Sequence, residues 1–276
     1  MVDPTVFDPN TFSAFEHTGW QRVAHHYNTS FADLTMQAVE PLLRTADVQA
    51  SMNVLDVATG RGDVAAAAAQ KGARVVGVDF SSSMLAEARR RYPSIEFREG
   101  NAEALLFDDN SFDALIINFG ILHFGKPEQA LHEALRVLRS GAKLSFTVWA
   151  PPEQALGFGI ILQAIADYGN WEVSLPIGPH TFHFSDAQEC SRTLLEIGFA
   201  DTQITHLPLV WDLPSPDFLF SAMHEGTVRT GSLLQAQGQE SLTAIRRATE
   251  LAGREYEKNG KLALPMAAIL VSASKL

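Results

Sequence analysis

A short apolar strand runs into a glycine-rich turn and then a helix. This local pattern limits the possible folds of the chain more than any other segment. Residues 54–63, VLDVATGRGD, form this segment, and an alanine-rich helix follows Gly60 and Gly62. Glycine lets the backbone approach a ligand closely, and the first N–H groups of a helix favour a polar or anionic group. The spacing also fits the dinucleotide pattern G-x-G-x-x-G/A. The turn therefore predicts a nucleoside-type ligand without deciding which one, and a tight turn with no ligand is the structural alternative.

Apolar strands and helices alternate between residues 53 and 149. Strands are expected at 54–57, 74–78, 95–97, 112–118 and 143–148. Most of them are largely apolar, which is typical of strands buried on both faces of a parallel sheet. The pattern predicts a doubly wound α/β fold. Farther along, a strand at 202–211, helices between 214 and 259 and a last strand at 262–272 suggest an antiparallel hairpin interrupted by a cap.

The chain length of 276 residues fits one α/β domain with an added cap. The aromatic N-terminal segment either packs on a core or forms a flap over a ligand, and the apolar cap segments either pack on the sheet or line an acceptor pocket. The expected regions are a helical flap at 1–50, a cofactor-binding core at 51–150, and the remainder of the sheet at 151–276, with cap insertions near 151–185 and 214–259.

Asp79 ends the second predicted strand, 17 residues after Gly62. A carboxylate at this position is placed to accept hydrogen bonds from two ribose hydroxyls, and it disfavours a 2′-phosphate. The alternative is that Asp79 is the N-cap of the following helix. Because the acid and the glycine turn occur together, they favour the ribose role.

Four segments in this order resemble the class I S-adenosylmethionine-dependent methyltransferases of the small-molecule type. They are DxxxGxG at 56–62, GVDFSSSML at 77–85, EGNAE at 99–103 and NFGILH at 118–123, and residues 133–141 follow the same family pattern. The resemblance covers about residues 20–150. It implies a Rossmann-like, seven-stranded, mostly parallel sheet with helical cap insertions. A dinucleotide dehydrogenase is not expected to show the third and fourth segments.

The implied activity is transfer of a methyl group from S-adenosyl-L-methionine to O, N or C of a small, apolar or aromatic acceptor. Two alternatives stay open. One is an NAD-dependent oxidoreductase, and the other is a protein of this fold that binds the cofactor without methylating, for example a cyclase.

The resemblance also implies roles for individual residues. Asp56 would lie near the ammonium group of the cofactor, with Gly60 and Gly62 beside it, and Asp79 would hold the ribose. The other residues expected at the cofactor are Phe80, Met84, Asn101 and Ala102 around the adenine, Asn118 beside the methionyl part, and Tyr27 from the flap.

The sequence departs from the family pattern in three places. Ala58 stands where the family turn usually begins with glycine, so we expect a less free backbone there. Asn101 replaces an acid at the adenine edge, which predicts altered affinity because an amide oxygen can still accept from the adenine amino group. Gly141-Ala142 replaces a Gly-Gly pair before the fifth strand.

His123 is the candidate catalytic base. It follows the fourth strand at the carboxyl edge of the sheet, where open α/β folds bind ligands, and similar methyltransferases often carry a histidine there. The alternative is a histidine that packs against Phe124 or caps the next turn. The weaker candidates lie in the flap and cap segments: His25, His26, His180, His183 and His224.

Composition excludes several other classes. The formal net charge of −11 argues against nucleic-acid binding, although Arg89, Arg90 and Arg91 form one tight basic cluster. The single cysteine, Cys190, permits no intrachain disulfide, and the spacing of the histidines and cysteine predicts no metal site. No apolar run has the ~18 residues of a membrane helix, and residues 1–10 lack a signal-peptide pattern.

We therefore expect a cytoplasmic protein that acts on a small molecule, with no nucleic-acid or membrane partner and with a homo-oligomer left open. A peroxisomal address is the alternative location, because residues 274–276 read Ser-Lys-Leu.

Overall fold

The computed structural model describes residues 7–276. Residues 1–6, which belong to the expected flap and to the segment that lacks a signal-peptide pattern, lie outside the described part of the chain. The chain divides into two compact units, each assembled from separate stretches of sequence. Unit 1 takes in Met1–Leu34, Ala150–Ile177 and Pro208–Ala267, and unit 2 takes in Thr35–Trp149, Gly178–Leu207 and Ala268–Leu276. Among the described residues, no helix is both long and apolar enough to cross a membrane.

The strands are numbered in chain order. They are β1 (Asn53–Val57), β2 (Arg74–Asp79), β3 (Glu96–Glu99), β4 (Phe112–Asn118), β5 (Leu138–Trp149), β6 (Phe199–Leu207), β7 (Val210–Leu213), β8 (Glu257–Lys258), β9 (Lys261–Pro265) and β10 (Ala268–Lys275). The helices are α1 (Pro9–Ser30), α2 (Ala32–Met36), α3 (Val39–Thr45), α4 (Asp63–Gln70), α5 (Ser82–Arg91), α6 (Pro127–Val137), α7 (Leu156–Tyr168), α8 (Ala187–Ile197), α9 (Phe218–Gly226), α10 (Arg229–Gln235) and α11 (Gln239–Gly253).

Unit 2 contains a seven-stranded sheet in the order β3-β2-β1-β4-β5-β10-β6. β10 pairs antiparallel with both β5 and β6, and the strands from β3 to β5 pair parallel. The strand order reverses between β1 and β4, so the carboxyl ends of these two strands flank the crevice in which open α/β sheets bind ligands. This topology confirms the predicted doubly wound, seven-stranded, mostly parallel fold.

Small side chains bring helices close to this sheet. The alanines of α4 are mostly buried, and the helix packs on β1 and β2. α3 packs on β4 and β5, α5 on β3, and α6 on β5. The predicted strands and helices of residues 53–149 are all present, and β5 begins five residues earlier than expected, at Leu138.

The predicted strands 202–211 and 262–272 are each two strands in the structure, so both predictions were wrong in their bounds. β9 pairs with β7 in a separate three-stranded sheet of unit 1, whereas β10 joins the large sheet of unit 2. β9 ends at Pro265, and the next residue, Met266, still donates its N–H to the Leu209 carbonyl at 2.8 Å. The expected antiparallel return across a helical insertion is present, divided between the two sheets.

Unit 1 consists of helices and the antiparallel sheet β7-β9-β8. α1 packs on α9, and it lies close to the start of α10, because a Cβ at Gly19 would lie 2.3 Å from the side chain of Val228, the N-cap of α10. Phe31 and Trp211 pack with ring centroids 4.4 Å apart, and the Trp211 indole donates to the Ser30 carbonyl at 2.8 Å. These aromatic contacts form the buried centre of unit 1.

Candidate functional site

The polar residues predicted at the carboxyl edge of the sheet lie on neighbouring strands of unit 2. Asp56 is in β1, Asp79 ends β2 and Asn118 ends β4, and these strands are adjacent in the order β2-β1-β4. The carboxyl ends of parallel strands meet at one edge, so the structure brings the three residues together.

The glycine turn is held against the end of β2. The Thr59 N–H donates to the Val78 carbonyl at 3.0 Å, and the Gly60 N–H donates to the Asp79 carboxylate at 2.8 Å. Gly62 adopts a φ of 85°, and a Cβ there would lie 2.7 Å from the Phe97 ring. Glycine at this position therefore meets both a backbone and a packing requirement.

Ala58 adopts a φ of 55°, which is the left-handed region that glycine favours. Its methyl group occupies the space that Gly120 leaves, since a Cβ at Gly120 would lie 2.5 Å from the Ala58 Cβ. The departure from the family glycine is thus accommodated by a glycine on the neighbouring loop, a pairing that the sequence did not reveal.

Asp79 is buried and strongly hydrogen-bonded. One carboxylate oxygen accepts the Gly60 N–H at 2.8 Å and the other accepts the Ser81 N–H at 2.8 Å. Ser81, not Asp79, is the N-cap of α5 and accepts the Met84 N–H at 3.3 Å. Burial raises the pKa of Asp79 to about 6, and the backbone hydrogen bonds from Ser81 and Gly60 and the charge of His123 oppose that shift. The alternative role of Asp79 as a helix cap is therefore not what the structure shows.

Asp56 is equally buried but incompletely hydrogen-bonded. Its Oδ2 accepts the Thr59 hydroxyl at 2.6 Å, and its Oδ1 has no hydrogen-bond partner among residues 7–276. Burial raises the pKa of Asp56 to about 7. Hydrogen bonding to the Thr59 hydroxyl and the Ala65 backbone opposes this shift, and the nearby charges of Asp79 and Asp63 contribute to it. A cation that reached Oδ1 would satisfy the oxygen and restore the carboxylate charge.

The predicted adenine residues follow β2 and β3. Phe80 is partly exposed, Met84 is 3% exposed and Ala102 is 8% exposed. The Asn101 Oδ1 accepts the Glu103 N–H at 2.9 Å, so the amide that replaces the family acid is oriented by its own loop. The roles of these residues at a cofactor stay predictions.

The other predicted residues are placed as follows. The Asn118 side chain accepts the Thr147 hydroxyl at 2.7 Å and donates to the Thr35 carbonyl at 3.3 Å. His123 ends a 3₁₀ turn, Ile121–His123, and is partly buried. Its charge lowers the pKa of Asp79, so it lies within electrostatic range of that carboxylate.

Tyr27 lies in α1 of unit 1. Its ring packs edge-on against Trp20 with centroids 5.4 Å apart and stacks with Phe31 at 6.0 Å. The cofactor role of Tyr27 stays a prediction, as does the flap that contains it.

The remaining histidines and the cysteine have local contacts. His26 lies 3.3 Å from Glu225, and His183 lies 3.9 Å from Glu189. Cys190 is buried, and burial raises the pKa of its thiol to about 12, in agreement with the expected inert thiol. Within the described residues, no group of three histidines, cysteines or acids could hold a metal ion.

Asp63, the first residue of α4, has a structural role that was not predicted from the sequence. Its carboxylate accepts hydrogen bonds from Arg61, from Arg91 at 2.8 Å and from the Tyr92 hydroxyl at 2.7 Å. These contacts tie the glycine turn to the end of α5. The other two arginines of the basic cluster make different contacts: Arg89 donates to the Phe97 carbonyl of β3, and Arg90 pairs with Glu87 within α5.

Comparison with known proteins identifies the central segment. A family model described as "Methyltransferase domain" matches residues 54–141. The chain is 46% identical over 99 residues to a demethylmenaquinone methyltransferase of Renibacterium salmoninarum, a match that covers 36% of this chain and 42% of the relative. The chain thus spans less than two thirds of that relative's length.

Two solved structures share the fold. Phosphoethanolamine N-methyltransferase 2 of Haemonchus contortus, in complex with S-adenosyl-L-methionine, is 18% identical, with a TM-score of 0.60 over 98% of this chain and 60% of that one. The [4+2]-cyclase SpnF is also 18% identical, with a TM-score of 0.58 over 98% of both chains. Residues 54–141 form a class I methyltransferase domain. The resemblance predicted from the four sequence segments is confirmed.

Proposed function

We propose that this methyltransferase domain binds S-adenosyl-L-methionine and that the chain transfers its methyl group to a small-molecule acceptor. The observation that carries the proposal is the buried Asp56 Oδ1 beside the glycine turn, which has no partner in the described chain. The ammonium group of the cofactor's methionyl part is a cation of the size and charge that would satisfy it.

The electrostatics of the turn favour this cofactor over a dinucleotide. Asp79 can accept from ribose hydroxyls in either case, since each carboxylate oxygen can accept a further hydrogen bond. A dinucleotide would place an anionic pyrophosphate at the turn, where the charges of Asp79 and Asp63 already raise the pKa of Asp56. A ligand with an ammonium group there is attracted instead.

When bound, S-adenosyl-L-methionine supplies a methyl group on a positively charged sulfur. The residues of this chain would hold the ribose at Asp79 and the ammonium at Asp56, which fixes the direction of attack by the acceptor. If the acceptor atom carries a proton of high pKa, His123 accepts that proton as the new bond to carbon forms and the bond to sulfur breaks.

The acceptor that we propose is an apolar aromatic ring. The support is the name of the relative, a demethylmenaquinone methyltransferase, together with the methyltransferase family match. In this case the attacking atom is a ring carbon beside a hydroxyl, and His123 would take the hydroxyl proton that makes the ring electron-rich.

The experiment uses methyl-labelled S-adenosyl-L-methionine with a panel of a reduced demethylated naphthoquinone, a simple phenol and an amine. We expect label on the quinol and release of S-adenosylhomocysteine. Thermal protection by S-adenosylhomocysteine with no methylation of any acceptor in a broadened panel would favour a non-methylating protein of this fold, and protection by NADH alone would favour an oxidoreductase.

The role of His123 is tested with the same assay. We expect His123→Ala to lower kcat by about 100-fold and to leave the Kd of S-adenosylhomocysteine within about twofold. His132→Ala is the matched control, since His132 is an exposed histidine on α6 of the same unit. Normal turnover of His123→Ala across the pH range would remove His123 from the mechanism.

A further inference from the structure

A carboxylate joins two loops that follow different strands at the candidate cofactor edge of unit 2. The Glu103 Oε1 accepts the backbone N–H of Lys126 at 2.9 Å, although the two residues are 23 positions apart in the chain. Lys126 is the N-cap of α6, and its own side chain makes no capping hydrogen bond. A carboxylate at a helix N-terminus is favoured by the unpaired N–H groups and the helix dipole, so the contact is stabilising.

The first of these loops is the predicted adenine edge. The Glu103 N–H donates to the Asn101 Oδ1 at 2.9 Å, and the Ala104 N–H donates to the Asn101 carbonyl at 3.0 Å. The loop is therefore closed by its own backbone, and the Glu103 side chain projects from a fixed position. Neither contact involves the Glu103 carboxylate, so both can still form when that side chain is substituted.

The second loop carries His123. The His123 N–H donates to the Gly120 carbonyl at 2.9 Å and the Phe124 N–H donates to the Ile121 carbonyl at 3.3 Å, so the 3₁₀ turn is short and compact. Only two residues separate His123 from Lys126. A restraint on the Lys126 backbone therefore limits where the His123 turn can lie.

We propose that Glu103 is a positioning residue that holds the His123 turn in register with the adenine edge. Through this contact, the part of the site that recognises the nucleoside also sets the position of the catalytic base. The proposal rests on the proposed function, in which His123 accepts the acceptor's proton. Misplacement of a catalytic group by a fraction of an ångström to one ångström is enough to lower the rate substantially.

The kinetic test compares three variants. Glu103→Ala is expected to lower kcat about tenfold and to shift the pH profile of kcat, with the Kd of S-adenosylhomocysteine within about twofold. Glu103→Gln is expected to restore most of kcat, because its amide oxygen can still accept from Lys126. Glu128→Gln is the control, since it removes an exposed carboxylate from the first turn of the same helix without touching the Lys126 N–H.

The second test does not require turnover. In protein with ¹⁵N-labelled histidine, we expect Glu103→Ala to move the titration midpoint of the His123 ring or to broaden its signals, and Glu103→Gln to match the wild type. His123→Ala identifies the His123 signal. If His123→Ala turned over normally, the base assignment would fail, whereas the effect of Glu103 on the His123 ring would still be measured.

Three results would overturn the proposal. One is a Glu103→Ala protein with wild-type kcat and an unchanged His123 titration. Another is a kcat loss that Glu103→Gln does not restore and that is matched by an equal loss of S-adenosylhomocysteine affinity. The third is a Glu103→Ala loss that is just as large in the His123→Ala background, since a residue that acts through His123 has no further effect once His123 is removed.

Discussion

Two buried aspartates at one edge of the same sheet differ in how completely their carboxylate oxygens are hydrogen-bonded. Both carboxylate oxygens of Asp79 accept backbone N–H groups, from Gly60 and Ser81. Asp56, on the neighbouring strand, has one oxygen bonded to Thr59 and one with no partner among residues 7–276. Burial raises the pKa of both, to about 6 for Asp79 and about 7 for Asp56.

The difference shows that the protein itself organises the Asp79 carboxylate, and we propose that a ligand completes the hydrogen bonding of Asp56. Asp79 fixes the glycine turn whether or not a nucleoside is bound, because its bonds to the backbone are already made. Asp56 carries an energetic cost in the free protein, since an unpartnered buried oxygen destabilises it. A cationic ligand would remove that cost, and the two residues should therefore respond differently to substitution and to pH.

The largest expected effect is that of Asp79→Ala. The substitution removes the ribose acceptor and the anchor of the Gly60 N–H, so we expect the affinity for S-adenosylhomocysteine to fall about 100-fold, the equivalent of about one strong charge-assisted hydrogen bond. Isothermal titration calorimetry measures the loss. Asp113→Ala is the matched control, because Asp113 also accepts a strand N–H, from Asn53 at 2.7 Å, at the opposite end of β1 and β4. An equal loss of affinity in the control would show a general effect of unfolding.

We expect Asp56→Asn to weaken ligand binding and to stabilise the ligand-free protein at pH 8. We expect the affinity for S-adenosylhomocysteine to fall about tenfold at pH 8, because the neutral amide oxygen can accept a hydrogen bond from the ammonium group but cannot form an ion pair with it. The ligand-free variant should nevertheless melt at a higher temperature than the wild type at pH 8, since it has no buried charge to ionise. Calorimetry and thermal melts at pH 6 and pH 8 measure both effects. A variant that loses stability at pH 8 would contradict the account of Asp56.

The pH dependence of stability follows from the raised pKa values. Both carboxyls bind their protons more tightly in the folded chain than in the unfolded chain, so their contribution to stability is present below pH about 4 and is lost as the pH rises to about 6 for Asp79 and about 7 for Asp56. Between pH 5 and pH 7, Asp56 alone should lower the stability of the ligand-free protein by roughly 2 kcal/mol.

This loss is measured by differential scanning calorimetry of the wild type against Asp56→Asn, which cancels the other titrating groups. The increase in Tm caused by S-adenosylhomocysteine should grow over the same pH range, because bound ligand keeps Asp56 ionised at little cost. An increase in Tm that is constant from pH 5 to pH 8 would mean that Asp56 does not meet the ligand.

The smallest expected effect concerns the turn between the two carboxylates. Gly120→Ala would place a Cβ 2.5 Å from the Ala58 Cβ, so we expect a loss of about 1 to 3 kcal/mol in the free energy of unfolding. Ala58→Gly should recover part of this loss in the double variant, since it removes the opposing methyl group. Urea unfolding measures the cycle, with Gly238→Ala as the control, because no atom lies within 4 Å of a Cβ there. If the effects of Gly120→Ala and Ala58→Gly on the free energy of unfolding were additive, the two positions would not be in contact.

Sequence reasoning located the strand ends and their polar residues because local patterns determine them. Asp56, the glycine turn and Asp79 all lie within 30 residues of one another, in segments whose periodicity marks a strand, a turn and a helix. The parallel order of the strands then follows from the alternation of strands and helices.

Contacts between distant segments could not be predicted in this way. The fit of Ala58 against Gly120 and the bond from Lys126 to Glu103 each join residues more than 20 positions apart, and no spacing rule connects them. The break between β9 and β10 was missed for the same reason, since the partner strands decide where an apolar run divides. Pro265 was the one local signal of that break.

A crystal structure of the protein with S-adenosylhomocysteine would show whether Asp79 and Asp56 hold the nucleoside. We expect density for the nucleoside over the glycine turn, with the ribose hydroxyls at hydrogen-bond distance, roughly 2.7–3.2 Å, from the Asp79 carboxylate and the ammonium group on the Asp56 Oδ1. Density for the nucleoside elsewhere, or an ammonium group that does not reach Asp56, would contradict this expectation.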